Sequence, residues 1–192
     1  MAKTGRTGVS ANTPKKILFG AGTIHKNLVY SGTAWNFDDS IIGATNGGST
    51  LSIVPEYTKV EADGAWVAAK GLTVKTGETA TLEINFIELS KDIITAAVNG
   101  AAGTAEDTNY DLIESKGDIV EGDYYNNIAF VGRTLEGKNI IAILENALCT
   151  SGLELSGASK EGSVATLTFE SHAELDSDLD HLPWKIYYPK QA

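Results

Sequence analysis

The chain has 192 residues, of which 42% are hydrophobic, enough for one domain with a sizeable core and too apolar for a disordered chain. Its formal charge is −10, but residues 1–26 hold five basic side chains and no acid, which leaves ten basic and 25 acidic ones for residues 27–192; so acidic a body excludes a charge-driven grip on nucleic acid. The one cysteine, Cys149, excludes an intrachain disulfide and a cysteine-based metal cluster, and no apolar run reaches the length of a membrane span.

Residues 1–15 read as a flexible arm: Gly5, Gly8, Asn12 and Pro14 break it and no periodicity runs through it. Nor does it have the apolar centre of a secretory signal, so synthesis and retention in a bacterial cytoplasm is the expectation. One domain is expected over 16–192. It opens with a short apolar strand at 16–20 (KILFG). Gly20-Ala21-Gly22 begins a dinucleotide fingerprint, but His25 stands where the third glycine belongs and no helical pattern follows.

Residues 31–50 form a long glycine-rich, polar loop carrying Trp35 and Phe37. These aromatics either fold back on the core or contact a partner. Within the loop, 40–45 could be a strand, Asn46-Gly47-Gly48 a turn, and 51–54 its partner strand. Turn signals recur at 62–64, 70–71 and 76–78, so 72–76 is expected to pair with the strand that follows.

That next stretch, 79–100, is the most informative one. Leu82, Ile84 and Phe86 alternate with Thr81, Glu83 and Asn85, the period of a sheet with one buried face. Ser90 can cap a helix over about 90–99, Ile94, Ala97 and Val98 make an apolar stripe, and Gly100 can close it in the left-handed conformation. Residues 100–108 read as loop. Strands are expected at 110–115, 124–134 (Ile128, Phe130 and Val131 inward), 139–148, 162–171 and 183–188. The segment 139–148 has a composition that also permits a helix; its Ile content and flanking turns favour a strand. In 162–171 the alternation slips near Ala165, the mark of a bulge. The fold class that follows is mainly β, an antiparallel sandwich or barrel with one short flanking helix.

Chemistry is sparse. Asp176, Asp178 and Asp180 start like a calcium loop, but His181 and Tyr187 occupy the positions of its glycine and closing glutamate. His25, His172 and His181 have no metal spacing, and Cys149 has no adjacent base. Serine elbows and phosphate loops are absent from the sequence, and the carboxylate pair Glu83/Glu88 is of a kind any acidic β protein offers. An enzyme is not expected, nor is a cofactor.

Taken in order, KKILFGAGTIHKNL, GATNGGSTLSIVPEYTKVEADGAWVAAKGLTV, TATLEINFIEL with its helix, YYNNIAFVGRTLEGKNIIAILENALCTSGLEL and GSVATLTFESHAELDSDLDHLPWKIYYPK cover most of the chain from Lys16 onward. This ordered set resembles the major tail tube proteins of long-tailed bacteriophages and prophages. The resemblance implies a virion tail component without catalytic residues. Subunits would form rings of six that stack into a hollow tube, and double-stranded DNA would pass through without specific binding. Its partners would be its own copies, a tape measure, a tail terminator and baseplate proteins, with no membrane. In that setting Lys3, Arg6, Lys15, Lys16, Trp35 and Phe37 become candidate subunit contacts, and Glu61, Asp63, Glu78 and Glu83 candidate lumen-facing acids. Two other readings stay open: another tail component on the same fold, or a monomeric β-sandwich module binding carbohydrate or calcium through Trp35, Trp66 or Trp184.

Overall fold

The computed structural model describes residues 8–64, 66–157, 162–177 and 179–190. Among them the chain is mainly antiparallel β, with strands β1 (Thr23–Lys26), β2 (Thr45–Lys59) and β3 (Thr73–Phe86), the helix α1 (Lys91–Val98), then β4 (Ala101–Gly103), β5 (Leu112–Glu114), β6 (Tyr125–Arg133), β7 (Asn139–Cys149), β8 (Ala165–Ser171) and β9 (Trp184–Tyr187). Seven strands form one sheet: six run in the order β1-β6-β7-β8-β3-β2, and β9 pairs with β7 off that path. β9 lies beside Ile141–Leu144 of β7, and β8 beside Ala147–Cys149. β4 and β5 pair apart from it.

The sheet closes on itself. Ile41 bridges His25 on β1, Lys26 N–H donates to the Ser40 carbonyl at 2.8 Å, and Ile42 N–H to the Ile24 carbonyl at 3.1 Å. A few residues on, Thr45 pairs with Phe86 on β3. Residues 40–45 therefore join the two sheet edges into a barrel-like body and satisfy backbone groups that an open edge would leave bare. Inside, Leu82, Ile84 and Phe86 are fully buried with Ile24, Ile128, Leu144, Leu167 and Phe169, and Glu83 faces out, as the alternation predicts. Ala129, Val131, Ile141 and Ile143 turn to the opposite face of β6 and β7, where Leu28, Trp35 and Phe37 cover them. Val131 thus belongs to a second cluster rather than beside Ile128.

Several expectations need correction. The helix is capped by Ser90, whose Oγ accepts from Ile93 N–H at 3.3 Å, but the buried stripe is Ile93 and Ala97; Ile94 is half-buried and Val98 exposed. The run IITAAV offers two overlapping stripes, and Ile93 takes the inner side, packed so close to Gly43 that a Cβ there would meet its Cδ1 at 3.1 Å. Asn99, at φ 46°, is the left-handed residue, not Gly100. Asn99 N–H bonds to the Ala96 carbonyl and Gly100 N–H to that of Thr95, which ends the helix. Gly100 is required for space instead: a Cβ there would meet Ile113 Cγ2 at 2.7 Å.

Residues 16–20 are not a strand. A 3-10 turn at Thr13–Lys15 precedes them, and Leu18 makes an isolated bridge to Thr134. The strand lies further on, as β1, where TIHK was too short and too polar to signal. Asn46-Gly47-Gly48 is not a hairpin turn but an irregularity inside β2, between the pairs Thr45/Phe86 and Ser49/Ile84. Residues 72–76 likewise do not pair with 79–89; β3 runs unbroken through Gly77, with a register shift at Glu56/Tyr57. Residues 101–103 are β4 rather than loop. β8 keeps one phase from Ala165 to Ser171, so no bulge slips there.

Candidate assembly surface

The central strand β3 has two different halves. From Thr81 to Phe86 it lies between β2 and β8. From Thr73 to Ala80 its only strand partner among the described residues is β2, so the pair leaves the body as a two-stranded arm. Its root is at Ile53/Ala80, the outermost pair packed into the core. The six residues of β2 beyond it, at about 3.3 Å each, carry the arm roughly 20 Å outward before the tip. There Val60 N–H closes onto the Leu72 carbonyl at 2.8 Å, and Gly64 (φ 82°) and Gly71 (φ 95°) make the bends that the turn signals at 62–64 and 70–71 anticipated.

Among its charged and polar residues the arm also exposes large apolar side chains. Tyr57, Val60, Val74 and Val67 are exposed, and Trp66 at the tip is 97% exposed. Glu61 and Asp63, two of the candidate lumen acids, also stand exposed at the tip. Glu83, a third, is exposed on the body opposite Thr50 and Thr168.

The fourth acid, Glu78, does something else. Its side chain is only 7% exposed and ion-pairs with Lys75 at 2.9 Å. It also accepts from Leu182 N–H at 3.5 Å, and the Trp184 indole N–H lies near it without reaching hydrogen-bond geometry. The Lys75 ammonium above all holds this carboxyl below the usual carboxylate range. Glu78 therefore pins the arm's root to the segment before β9. Gly77 beside it faces Glu56, whose exposed and flexible carboxylate end a Cβ would meet at 2.9 Å.

Trp35 and Phe37 sit on a strap, residues 27–40, that crosses the outer face of β6 and β7. Asn127 clamps Leu28 from both sides, its Oδ1 accepting from Leu28 N–H at 2.9 Å and its Nδ2 donating to the Leu28 carbonyl at 3.2 Å. Trp35 then packs between Tyr30 and Tyr187, at 5.2 and 4.9 Å between ring centres. Both aromatics are half-buried, so the fold-back reading describes their place in the subunit. With Tyr187, Tyr188 and Pro189 they line an open groove of about 250 Å³. Lys15 is half-buried and Lys16 exposed; Lys3 and Arg6 lie outside the described residues.

Asp176 and Asp180 are exposed in the loop before β9, and Asp178 lies outside the described residues. Among the described residues no group of three or more His, Cys, Asp or Glu side chains comes together as a metal set. Cys149 is buried, 3.7 Å from Ser151 Oγ, and burial pushes its thiol pKa up, away from nucleophilic use. No described helix is long and apolar enough to cross a membrane.

The sequence reading missed the length of the arm because it took Thr76-Gly77-Glu78 for a turn. The signal that could have found it was the match of two β-compatible runs, STLSIVPEYTK and LTVKTGETATLEINF, on either side of one glycine-bearing loop.

No family model matches the chain. No curated protein matches it either. Among solved structures, a chain from the tail of an empty gene transfer agent particle, computed with helical refinement in C6 symmetry, is 13% identical at a TM-score of 0.44, over 88% of this chain and 96% of its own. A chain from the virion of a native gene transfer agent particle is 14% identical at a TM-score of 0.42, over 80% of this chain and 92% of its own. Scores of this size leave the fold and the role to be argued from the chain's own strands.

Proposed function

We propose that this protein is a structural component of a phage-like tail, the tube subunit, which assembles with its own copies into rings that stack into a hollow tube. The observation that carries the reading is the arm formed by β2 and β3. A two-stranded hairpin is marginal by itself in water. This one keeps unpaired backbone edges and puts Trp66, Val67 and Tyr57 in solvent. Such an element gains stability when another chain pairs with its edge or covers its face. An arm on one side of a subunit, fitting a different surface on the next, makes a heterologous contact, the kind that closes into rings or runs on as a filament. The ring of six, the DNA passage and the tape measure, terminator and baseplate partners follow from the ordered sequence resemblance. An acidic body suits that passage, because negative walls do not hold a phosphate backbone.

Sedimentation velocity and negative-stain imaging over rising protein concentration test the reading. Rings or tubes are the expected result, with Trp66→Ser remaining monomeric at unchanged thermal stability. A wild-type chain that stays monomeric throughout, also when mixed with a tail initiator complex, would overturn it.

A further inference from the structure

His25 is the one histidine among the described residues that is fully buried, 1% exposed, and the assembly reading gives it no task. It stands on β1 opposite Ala129, at the seam where residues 40–42 close the barrel. Nδ1 lies 2.8 Å from Ser40 Oγ and Nε2 lies 2.8 Å from Thr23 Oγ1. Ser40 Oγ has one proton, and it goes to the Asn36 carbonyl at 2.6 Å. Ser40 must therefore accept from His25 Nδ1–H, which leaves Nε2 to accept from Thr23 Oγ1–H. The ring packs 5.5 Å from the Phe37 ring, and the Phe37 carbonyl also faces it. Its partners among the described residues are hydroxyls and a carbonyl, with no carboxylate among them.

The surrounding charges do not compensate. On β1, Lys26 turns its Nζ to Asp92 of α1 at 2.6 Å. β6 has titratable groups only at its ends, Tyr125 and Arg133. On the strap, Asp38 and Asp39 are exposed. A proton on Nε2 would thus create a buried cation with only neutral partners, and burial accordingly holds the imidazole pKa below its ordinary 6.5.

We propose that His25 is a proton-sensitive clasp: neutral, it holds the strap 27–40 and the seam at 40–42 shut over β6 and β7, and when protonated it releases them. Release is the route by which the cation reaches water, because Phe37 and Ser40 are the strap's own contacts with the ring. It would break the seam bonds Lys26 to Ser40 and Ile42 to Ile24, and uncover Leu28, Ala129, Val131, Ile141 and Ile143. The inference concerns the single subunit and does not rest on the assembly reading.

The strap carries its own reporter, Trp35. In a chain with Trp66→Phe and Trp184→Phe, Trp35 emission and amide exchange at Ile42, corrected for its intrinsic pH dependence, are followed between about pH 8 and about pH 5, above the carboxylate range. The expected result is a red shift of emission. The opening constant should rise about tenfold per pH unit over the window from 6.5 down to the His25 value, the slope of one proton per opening. In His25→Asn, which keeps a bond to Ser40 and cannot titrate, both signals should be flat. A flat wild type, or a transition that survives in His25→Asn, overturns the clasp. Should that variant not fold, the imidazole NMR titration of the wild type decides: the clasp requires a His25 midpoint below 6.5 that coincides with opening, and separate midpoints overturn it.

Discussion

β3 is one strand with two kinds of surroundings. Between Ala80 and Phe86 every second side chain is fully buried, because β8 flanks the strand and α1 and the other strands of the barrel pack behind it. Between Thr73 and Thr79 the same backbone geometry, paired to the same β2, buries no hydrophobic side chain fully. Strand pairing is continuous across the boundary; the layer behind it is not. Backbone bonding sets the direction of the chain, and burial is decided by what lies behind the sheet. One half of the strand is therefore built for stability and the other is left for contact.

The sharpest way to break this comparison is to truncate one large side chain on the buried half and one at the tip of the arm that the other half carries. Phe86→Ala should cost about 3–5 kcal/mol in chemical denaturation, since the ring is fully buried and its neighbours cannot collapse into the gap. Trp66→Ala, which removes an even larger side chain, should change stability by no more than about 0.5 kcal/mol while abolishing self-association. Equal costs in the two variants would mean that the arm is part of the core.

Much of the first half could be read directly from residues. Leu82, Ile84 and Phe86 have a clean period of two, Ser90 sits where a cap belongs, and 139–148 has turn residues on both sides; local chemistry decides each of these. What failed was decided at a distance. The helix offered two stripes, and the buried one is that which meets Gly43, some fifty residues earlier. Asn46–Gly48 and Gly77 have the composition of turns, yet each lies within a long strand because its partner continues past it. β1 has four residues, and its burial comes from β6 on one side and the strap on the other. Of the candidate contacts and acids, the sequence named Glu78 among the lumen-facing ones. Its place at the arm's root, tied to Lys75 and Leu182, depends on a chain segment a hundred residues away.

Glu78 gives a second, smaller test, placed where the two halves meet. Glu78→Gln should cost about 1–2 kcal/mol, the range of one charge-assisted bond lost, and amide exchange at the root should speed up ahead of the body. Its pH dependence has a definite sign. The folded value lies below the ordinary 4.5, so the contribution is complete above that pH and is lost as pH falls through the folded value. The His25 seam fails in a higher window, below 6.5, so the two acid responses separate on one titration. A root that loosens together with the seam in the higher window would show that arm and strap are one unit.

The basic arm at 1–14 gives the smallest effect on folding and extends the comparison to a third region. Its described residues from Gly8 to Pro14 are exposed apart from Thr13, and they contribute no buried side chain. Removing residues 1–14 should therefore shift thermal unfolding of the body by the equivalent of about 0.5 kcal/mol or less. Assembly is a different matter. Lys3 and Arg6 are two of the five basic groups in a stretch without acids, and the rest of the chain has a large acidic excess. If copies dock through that contrast, the truncated chain assembles less at low salt, and its loss shrinks as salt screens the wild type down to the same level. Equal assembly at low salt would leave the hairpin arm alone to hold the copies together.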